Sequence, residues 1–244
     1  MNFRLLLLAS MITSVASPQS YRLSQPENLT YRIEWRLITA GLANLQWQPQ
    51  GPQDGYQIKL HLESGGLVSK LFKVDDNYTG VLNQAGCIVN SQLSAREGSR
   101  QRDTRVNYDY ESRKAYYQER DRVKNTTTNR DVDLPGCVHD VIGGLYFLRN
   151  LNLDIGQSTQ MAVSDGRKAV MARVTAQQRE TVKVPDGTYP AVRYEIFLFD
   201  GVLFDRSAHL YVWLSDDPRK IPVQIRVRMQ FTIGTITLEL EKHE

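Results

Sequence analysis

An alternation of apolar and polar residues with a period of two is the feature that most constrains the fold of this sequence. In residues 29–37 every second side chain is apolar, and the residues between them are Thr, Arg or Glu. Successive side chains of a β-strand point to opposite faces, so this alternation predicts a strand with one buried face. The apolar residues of the segment are Leu29, Tyr31, Ile33, Trp35 and Leu37.

The same period recurs along most of the chain, where turn signals such as Asp165-Gly166 and Asp200-Gly201 separate the segments. Residues 125–133 are polar without a period and predict an irregular loop. So many short strands predict a mostly β fold, either one large curved antiparallel sheet or half-open β-barrel, or a sandwich. The further predicted strands cover residues 42–48, 56–63, 74–82, 88–96, 102–110, 115–124, 159–164, 169–177, 181–184, 191–199, 209–214, 223–230 and 233–240.

One segment, residues 138–150, has apolar residues at helical spacing and predicts the main helix of the protein. Its paired glycines, Gly143 and Gly144, each lower helix propensity by about 1 kcal/mol relative to Ala. The pair therefore indicates either close packing by another segment or a short helix. Residues 67–72 predict a short helical turn after the break at residues 65–66.

The N-terminus has the pattern of a signal peptide. Arg4 supplies a positive charge, residues 5–12 are apolar, and small residues lead to a cleavage site before Ser17. A membrane anchor is the alternative, but the apolar stretch is shorter than the roughly 20 residues that a spanning helix needs. We expect residues 1–16 to be removed and residues 17–244 to form a single β domain in the periplasm, with no further transmembrane segment.

The chain contains two cysteines, Cys87 and Cys137. In an exported chain an even number of cysteines favours a disulfide, and their spacing excludes a CxxC redox or metal motif. Closure of this loop would destabilise the unfolded chain by roughly 4 kcal/mol in the entropy model. Two free buried thiols are the alternative.

The charge balance gives little support for nucleic-acid binding. After removal of Arg4, 29 basic and 27 acidic residues remain. Residues 96–130 hold ten basic and six acidic residues, but the two signs are interspersed. This pattern favours solvated strands over a phosphate-binding surface, so we expect no nucleic-acid partner.

No segment carries a recognisable catalytic or metal-binding motif. His139-Asp140, at the start of the predicted helix, is the most site-like pair in the sequence. An Asp at this position more often interacts with the helix dipole than takes part in catalysis. The patterns HExxH and CxxC and the calcium-binding loop are absent from the sequence. The sequence thus identifies no catalytic residue, no metal site and no cofactor.

Aromatic residues on the apolar parity of the strands are the remaining candidates for a site. Trp35 and Trp47 have this parity in adjacent strands, and Trp213 shares a parity with Tyr211. An ordinary core is the alternative for any one of them. A sheet this extensive must, however, either close on itself or hold something against its concave face. The candidate ligand-binding residues are Trp35, Trp47, Leu60, Ile142, Tyr146 and Trp213.

Four runs in the sequence resemble a family of exported bacterial proteins known only as a domain of unknown function, number 3108 in that series. They are residues 29–35, 137–140, 184–189 and 212–223, and the run Trp-Leu-Ser-Asp-Asp-Pro-Arg within the last is the most specific. The resemblance covers nearly all of the mature chain and supplies no catalytic residues. It implies a fold similar to the half-open β-barrels of periplasmic lipoprotein carriers, which hold acyl chains in a curved sheet.

These observations favour a periplasmic binding protein that holds a hydrophobic or amphipathic ligand, a lipid or a lipoprotein acyl chain. The ligand would lie between the sheet and the helix of residues 138–150. The alternative is a structural or assembly partner of the cell envelope, which pairs its exposed sheet edges with another protein and binds no ligand. A hydrolase is less favoured, because the four histidines are scattered.

Overall fold

The computed structural model describes residues 23–36, 38–51, 54–229 and 234–244, and these form fourteen strands and two short helices. The predicted signal peptide lies outside the described residues. The helices are α1 (Gly66–Leu71) and α2 (Val141–Leu148). The strands are β1 Glu27–Trp35, β2 Ile38–Gly51, β3 Gly55–Ser64, β4 Asp75–Leu82, β5 Ile88–Glu97, β6 Arg100–Asp109, β7 Lys114–Asp121, β8 Thr126–Asp133, β9 Ser158–Ser164, β10 Ala169–Val184, β11 Gly187–Ile196, β12 Ala208–Ser215, β13 Pro222–Met229 and β14 Thr235–His243.

All fourteen strands belong to one antiparallel sheet in which almost every strand lies beside its neighbours in the chain. The order is β8-β7-β6-β5-β4-β3-β2-β1-β14-β13-β12-β11-β10-β9, so the pairing of β1 with β14 joins the two halves. β8 and β9 remain as the two edges, and the sheet does not close into a barrel. The predicted curved antiparallel sheet with one main helix is therefore confirmed.

One face of this sheet, which we call the inner face, carries most of the apolar residues that alternate in the sequence. From β1 to β6 the burial along a row of cross-strand partners changes. The first two side chains of this row are buried, and the other four are half-buried. The row consists of Leu29, Leu45, Leu60, Tyr78, Leu93 and Thr104. Along this row the inner face is thus packed at β1 and β2 and partly open at β3 to β6.

The packed part of the inner face is covered by α2. Trp47 of β2 is fully buried and stacks on Tyr146 of α2, with ring centroids 4.4 Å apart, and on Tyr56 of β3 at 4.5 Å. The hydroxyl of buried Tyr31 donates a hydrogen bond of 2.8 Å to the carbonyl of Pro222. Burial of large aromatic side chains in close contact makes this region a major source of stability.

The chain before α2 is attached to both halves of the sheet. Cys87 and Cys137 form the predicted disulfide, with Cα atoms 5.2 Å apart. The carbonyl of Val138 accepts a hydrogen bond from the amide of Ile88 in β5, and the amide of His139 donates to Ala162 in β9. These contacts hold α2 over the inner face.

The glycine pair in α2 fits both alternatives that the sequence left open, since the helix is short and is closely packed. A Cβ atom on Gly143 would lie 3.3 Å from a methyl group of Leu82, and one on Gly144 would lie 3.3 Å from the terminal methyl of Met161. The helix begins at Val141 rather than at residue 138, because Asp140 is its N-cap and accepts a hydrogen bond from the amide of Gly143.

The structure differs from the sequence prediction in two strands. Residues 125–133 were predicted to be irregular, but residues 126–133 form the edge strand β8. Seven of its eight residues are exposed, so the strand has no apolar face that could produce a period in the sequence. Residues 169–177 and 181–184 are parts of one long strand, β10, which a register shift between Ala176 and Gln178 interrupts.

Within the described part of the chain, neither helix has the length and apolar character needed to cross a membrane.

Candidate functional site

A groove of about 290 Å³ lies between the open part of the inner face, the start of α2 and the turn between β9 and β10. Six aliphatic side chains and two tyrosine rings form most of its wall. The lining residues are Leu60, Leu62, Asp76, Tyr78, Ser91, Leu93, Thr104, Val106, Tyr108, Asp140, Val141, Ile142, Ser164 and Asp165. Concave, mainly apolar surfaces with a few polar groups are typical of small-molecule sites.

The polar centre of the groove is the pair formed by Asp140 and Tyr78. The hydroxyl of Tyr78 donates a hydrogen bond to one carboxylate oxygen of Asp140, while the amide of Gly143 donates to the other at 2.8 Å. Burial raises the pKa of Asp140 above its usual value, and these hydrogen bonds oppose the shift. Burial and the neighbouring carboxyl also raise the pKa of Tyr78, which therefore stays protonated and donates.

A glycine in β4 makes room for this pair. Gly80 is buried on the inner face, and a Cβ atom there would lie only 2.4 Å from the hydroxyl of Tyr78. The Tyr78 ring therefore lies along its strand over Gly80 and reaches α2. A larger residue at position 80 would occupy the space that the tyrosine needs.

The other charged groups of the lining are also acidic. Asp76 accepts a hydrogen bond of 2.8 Å from the amide of Arg96, and burial raises its pKa. Asp165, at the rim, forms an ion pair of 2.6 Å with Arg167. The fourteen lining residues, all in the described part of the chain, include no Lys, Arg or His. The groove is therefore apolar with an acidic character.

The structure brings two of the predicted ligand-binding residues to this groove, Leu60 of β3 and Ile142 of α2. Trp47 and Tyr146 lie next to it in the packed part of the inner face, where they stack on each other. Trp35 is half-buried near the end of β1 and has the guanidinium of Arg36 5.4 Å from its ring centroid. These three aromatic residues do not line the groove.

Trp213 lies on the opposite face of the sheet. The cross-strand row that begins at Trp213 continues through Gln224, Glu239 and Arg32. These residues alternate along their strands with the apolar residues of the inner face. The indole N–H donates to Glu180 at 2.7 Å, and the guanidinium of Arg226 lies 5.0 Å from the ring centroid. Trp213 is thus buried under polar side chains and away from the groove.

Sequence reasoning missed Tyr78, Asp76 and Leu93 as groove residues. The available signal was their parity, because in the predicted strand of residues 74–82 the even positions belong to the inner face. A carboxylate at position 76 breaks the apolar series and could have marked a site. Asp140 was noted in the sequence, and the structure places it both as the helix cap and in the groove wall.

The neighbouring His139 is buried and held by contacts within the protein. Its Nδ1 lies 2.9 Å from the carbonyl oxygen of Gly86, and its ring stacks on Phe147 with centroids 4.2 Å apart. Burial lowers the pKa of His139 to about 4. Among the described residues, no group of three His, Cys, Asp or Glu is arranged to hold a metal ion.

The most specific of the four sequence runs forms the turn between β12 and β13. Asp217 accepts hydrogen bonds from the amides of Arg219 and Lys220, as expected for an Asp in a turn. The ammonium of Lys220 donates to the carbonyl of Leu151, just after α2. The carbonyl of Arg219 accepts a bond of 3.0 Å from Arg149, at the end of α2. This run therefore fixes the C-terminal end of the helix.

Arg149 also makes a buried ion pair with Glu27 at the start of β1, with N–O distances of 2.6 and 2.8 Å. The pair attaches α2 to the first strand. Both ends of the helix are thus held, and its N-terminal half forms one wall of the groove.

Fold and groove together define an open β-barrel-like protein with a small apolar groove beside the start of a fixed helix. The chain belongs to the family described as proteins of unknown function, DUF3108, whose sequence model matches residues 30–241. Comparison with curated protein sequences gives no significant match.

Comparison with solved structures finds similar chains from several bacteria. A β-barrel-like protein of the DUF1849 family from Brucella abortus has a TM-score of 0.56 and 11% identity, over 90% of this chain and 97% of that chain. A Bacteroides fragilis protein with a YmcC-like fold has a TM-score of 0.37 and 10% identity, over 89% and 95% of the two chains. A DUF1089 family protein from Pseudomonas aeruginosa has a TM-score of 0.36 and 12% identity, over 91% and 95%. The likeness to the Brucella protein shows a shared fold.

Proposed function

We propose that this protein is exported to the periplasm and holds a hydrophobic or amphipathic ligand in the groove between β3–β6 and α2. The observation that carries the proposal is the contrast within one face of the sheet. Leu60 and Leu93 are half-buried beside a cavity, whereas Leu29 and Leu45, in the same cross-strand row, are buried. An apolar wall that the protein leaves uncovered favours a hydrocarbon ligand.

The size of the groove limits the ligand. At about 290 Å³ it lies at the lower end of the range for small-molecule pockets, which is roughly 300–1,000 Å³. A single hydrocarbon chain suits this volume better than a complete two-chain lipid. Burial of about 300 Å² of such a chain would contribute about 7 kcal/mol before the costs of association, which corresponds to micromolar binding at best.

The charges of the groove limit the polar end of the ligand. Asp140 and Asp76 are acidic groups in the wall, and the lining residues of the described chain include no cation. A carboxylate or phosphate would have to approach these groups without a basic partner, at an electrostatic cost. We therefore propose a chain whose polar end is neutral or cationic, such as an ester, amide, alcohol or amine.

Export to the periplasm is supported by the disulfide between Cys87 and Cys137, since disulfides persist in oxidising compartments. The signal-peptide pattern of residues 1–16 gives the same indication from the sequence. N-terminal sequencing of the exported protein should find Ser17 as the first residue. Recovery of the chain with Met1 intact from a membrane fraction would contradict the proposal.

The ligand proposal is tested with three amphiphiles of equal chain length, dodecanol, dodecylamine and dodecanoate, which compete with a fluorescent apolar probe. We expect dodecanol and dodecylamine to bind saturably and dodecanoate to bind at least tenfold more weakly. Leu93→Asn should weaken binding, whereas Val89→Asn, on an exposed position of the same strand, should leave it unchanged. Native mass spectrometry of protein purified without detergent should reveal a bound apolar molecule.

A cell-envelope assembly role is the second candidate, and the edge strand β8 favours it. This strand is eight residues long, lies at one end of the sheet and is exposed on both faces. An edge of this kind can accept a strand from another protein. If none of the three amphiphiles binds to the protein, this role becomes the leading candidate.

A further inference from the structure

The connection between β3 and β4 forms an exposed apolar tip, residues 65–74, which contains α1. The side chains of Leu67, Leu71 and Phe72 are 68%, 82% and 50% exposed. No residue of α1 is buried. A soluble protein seldom places three adjacent large apolar side chains in water unless they contact something.

The tip is held firmly to the sheet, so its exposure is a property of the fold. The amide of Gly65 donates to the carbonyl of Ala40 at 2.7 Å, and the amide of Gly98 donates to Lys73 at 2.7 Å. The ring of Phe72 lies against Gly98, where a Cβ atom would be 2.8 Å from it. The backbone of the tip is thus fixed at both ends.

Two of the exposed side chains, Leu67 and Leu71, share one face of α1. Leu67 and Leu71 are four residues apart and therefore neighbours on the helix surface. Val68 points elsewhere, since it is half-buried and packs against the core. A helix that is apolar towards the core and apolar towards solvent requires a second apolar environment on its outer side.

The charge of the tip selects the kind of partner. Lys70 and Lys73 are its only charged residues, and both are exposed. The nearest acids in the sequence, Glu63 and Asp75, lie beyond its two ends. The tip therefore combines apolar side chains with two positive charges.

We propose that the tip docks on a lipid bilayer with anionic head groups. Leu67, Leu71 and Phe72 enter the boundary between head groups and acyl chains, and Lys70 and Lys73 contact the head groups, as in interfacial amphipathic segments. A protein partner fits less well, because three side chains bury far less than the roughly 1,000 Å² of a stable protein interface. Interface cores are also depleted in lysine.

The position of the tip connects it to the groove, and this part of the inference rests on the proposed function. The tip joins β3 to β4, and both strands line the groove through Leu62 and Asp76, at the ends that adjoin the tip. Docking would place this side of the groove next to the bilayer. A ligand could then pass between membrane and groove over a short distance.

The test is flotation of the purified protein with vesicles of phosphatidylglycerol and phosphatidylethanolamine, compared with phosphatidylcholine alone. We expect binding to the anionic vesicles that weakens as salt increases. Leu67→Ser with Leu71→Ser should weaken binding at least tenfold. Lys70→Gln with Lys73→Gln should weaken it severalfold and reduce its dependence on salt.

The matched control is Val123→Ser with Met171→Ser, which removes two exposed apolar side chains (62% and 49%) elsewhere on the surface. This variant should bind vesicles like the wild type. Circular dichroism of every variant verifies folding.

Three results would overturn the inference. The first is that the protein does not bind anionic vesicles. The second is that the control variant loses as much vesicle binding as the Leu67 and Leu71 variant. The third is that the protein associates with itself through the tip and does not bind vesicles, and that the Leu67 and Leu71 changes abolish this self-association. The amphiphile titration is independent of these results. If the amphiphiles bind but the vesicles do not, only the docking role of the tip is refuted. If the vesicles bind but the amphiphiles do not, only the proposed ligand site is refuted.

Discussion

The inner face of the sheet has two parts, the packed part at β1 and β2 and the partly open part at β3–β6, which have the same sequence period and different packing. In the first part Trp47 and Tyr146 stack and exclude solvent. In the second part Leu60, Leu93 and Thr104 remain half-buried around a groove. Alternation therefore defines a face of a sheet, whereas the position of a covering helix determines which part of that face becomes core.

The largest expected effect is the loss of stability when a side chain of the packed part is truncated, compared with the same kind of change in the open part. Trp47→Ala should lower the free energy of unfolding by about 4 kcal/mol, since a large buried side chain is lost. Leu93→Ala should cost only about 1 kcal/mol, because its side chain is only partly buried. Urea unfolding of both variants measures the difference. Similar losses would show that the groove is filled in solution and would contradict the distinction between a packed and an open part.

The disulfide should contribute a similar amount to the free energy of unfolding as the side chain of Trp47, because it fixes the chain before α2 to the start of β5. Cys87→Ser with Cys137→Ser should lower the free energy of unfolding by about 4 kcal/mol. Hydrogen exchange should increase most in α2, while β10–β12 remain protected. Reductant should destabilise the wild type to the same extent and leave the variant unchanged. An unchanged exchange rate in α2 would contradict the role of the disulfide.

Because His139 is buried, we expect the free energy of unfolding to depend on pH. Its pKa falls from 6.5 to about 4 in the folded protein because of burial. Between these values the unfolded chain binds the proton and the folded protein does not, so stability falls as the pH is lowered from 6.5 to 4. The loss attributable to His139 is about 3 kcal/mol at most.

Comparison with His139→Gln isolates this contribution from that of Asp140, whose raised pKa produces the opposite dependence. The advantage of the wild type over the variant in urea unfolding should decrease between pH 7 and pH 4.5. A constant difference over this range would show that His139 is accessible to water.

The smallest effect belongs to the groove and tests its polar centre. Gly80→Ala should move the Tyr78 hydroxyl away from Asp140, because the added Cβ would lie 2.4 Å from it. We expect a cost of about 1 kcal/mol, the value of one hydrogen bond. In a Tyr78→Phe background the same change should cost less, and the double-mutant cycle measures the coupling. Equal costs in both backgrounds would show that the bond is absent in solution.

Most of the local elements of this protein could be predicted from the sequence. The period of two in residues 29–37 and in the later segments predicted the strands, because strand side chains alternate whatever lies beside them. The spacing in residues 138–150 predicted α2, and its glycine pair indicated either the close approach of another segment or a short helix. The even number of cysteines, together with the signal-peptide pattern, predicted the disulfide. Each of these signals lies within a few residues or depends only on composition.

The tertiary structure alone decided which faces, edges and neighbours those elements acquired. Parity placed Trp213 and Tyr211 on one face of β12, but the register with β13, β14 and β1 made it the face opposite the groove. β8 became a strand through its pairing with β7, although no apolar period marks it. Tyr78 and Asp140 are 62 residues apart in the chain, and only the folding of α2 over β4 joins them. Sequence periodicity records how a segment divides its own side chains between two faces, but not which segment will cover either one.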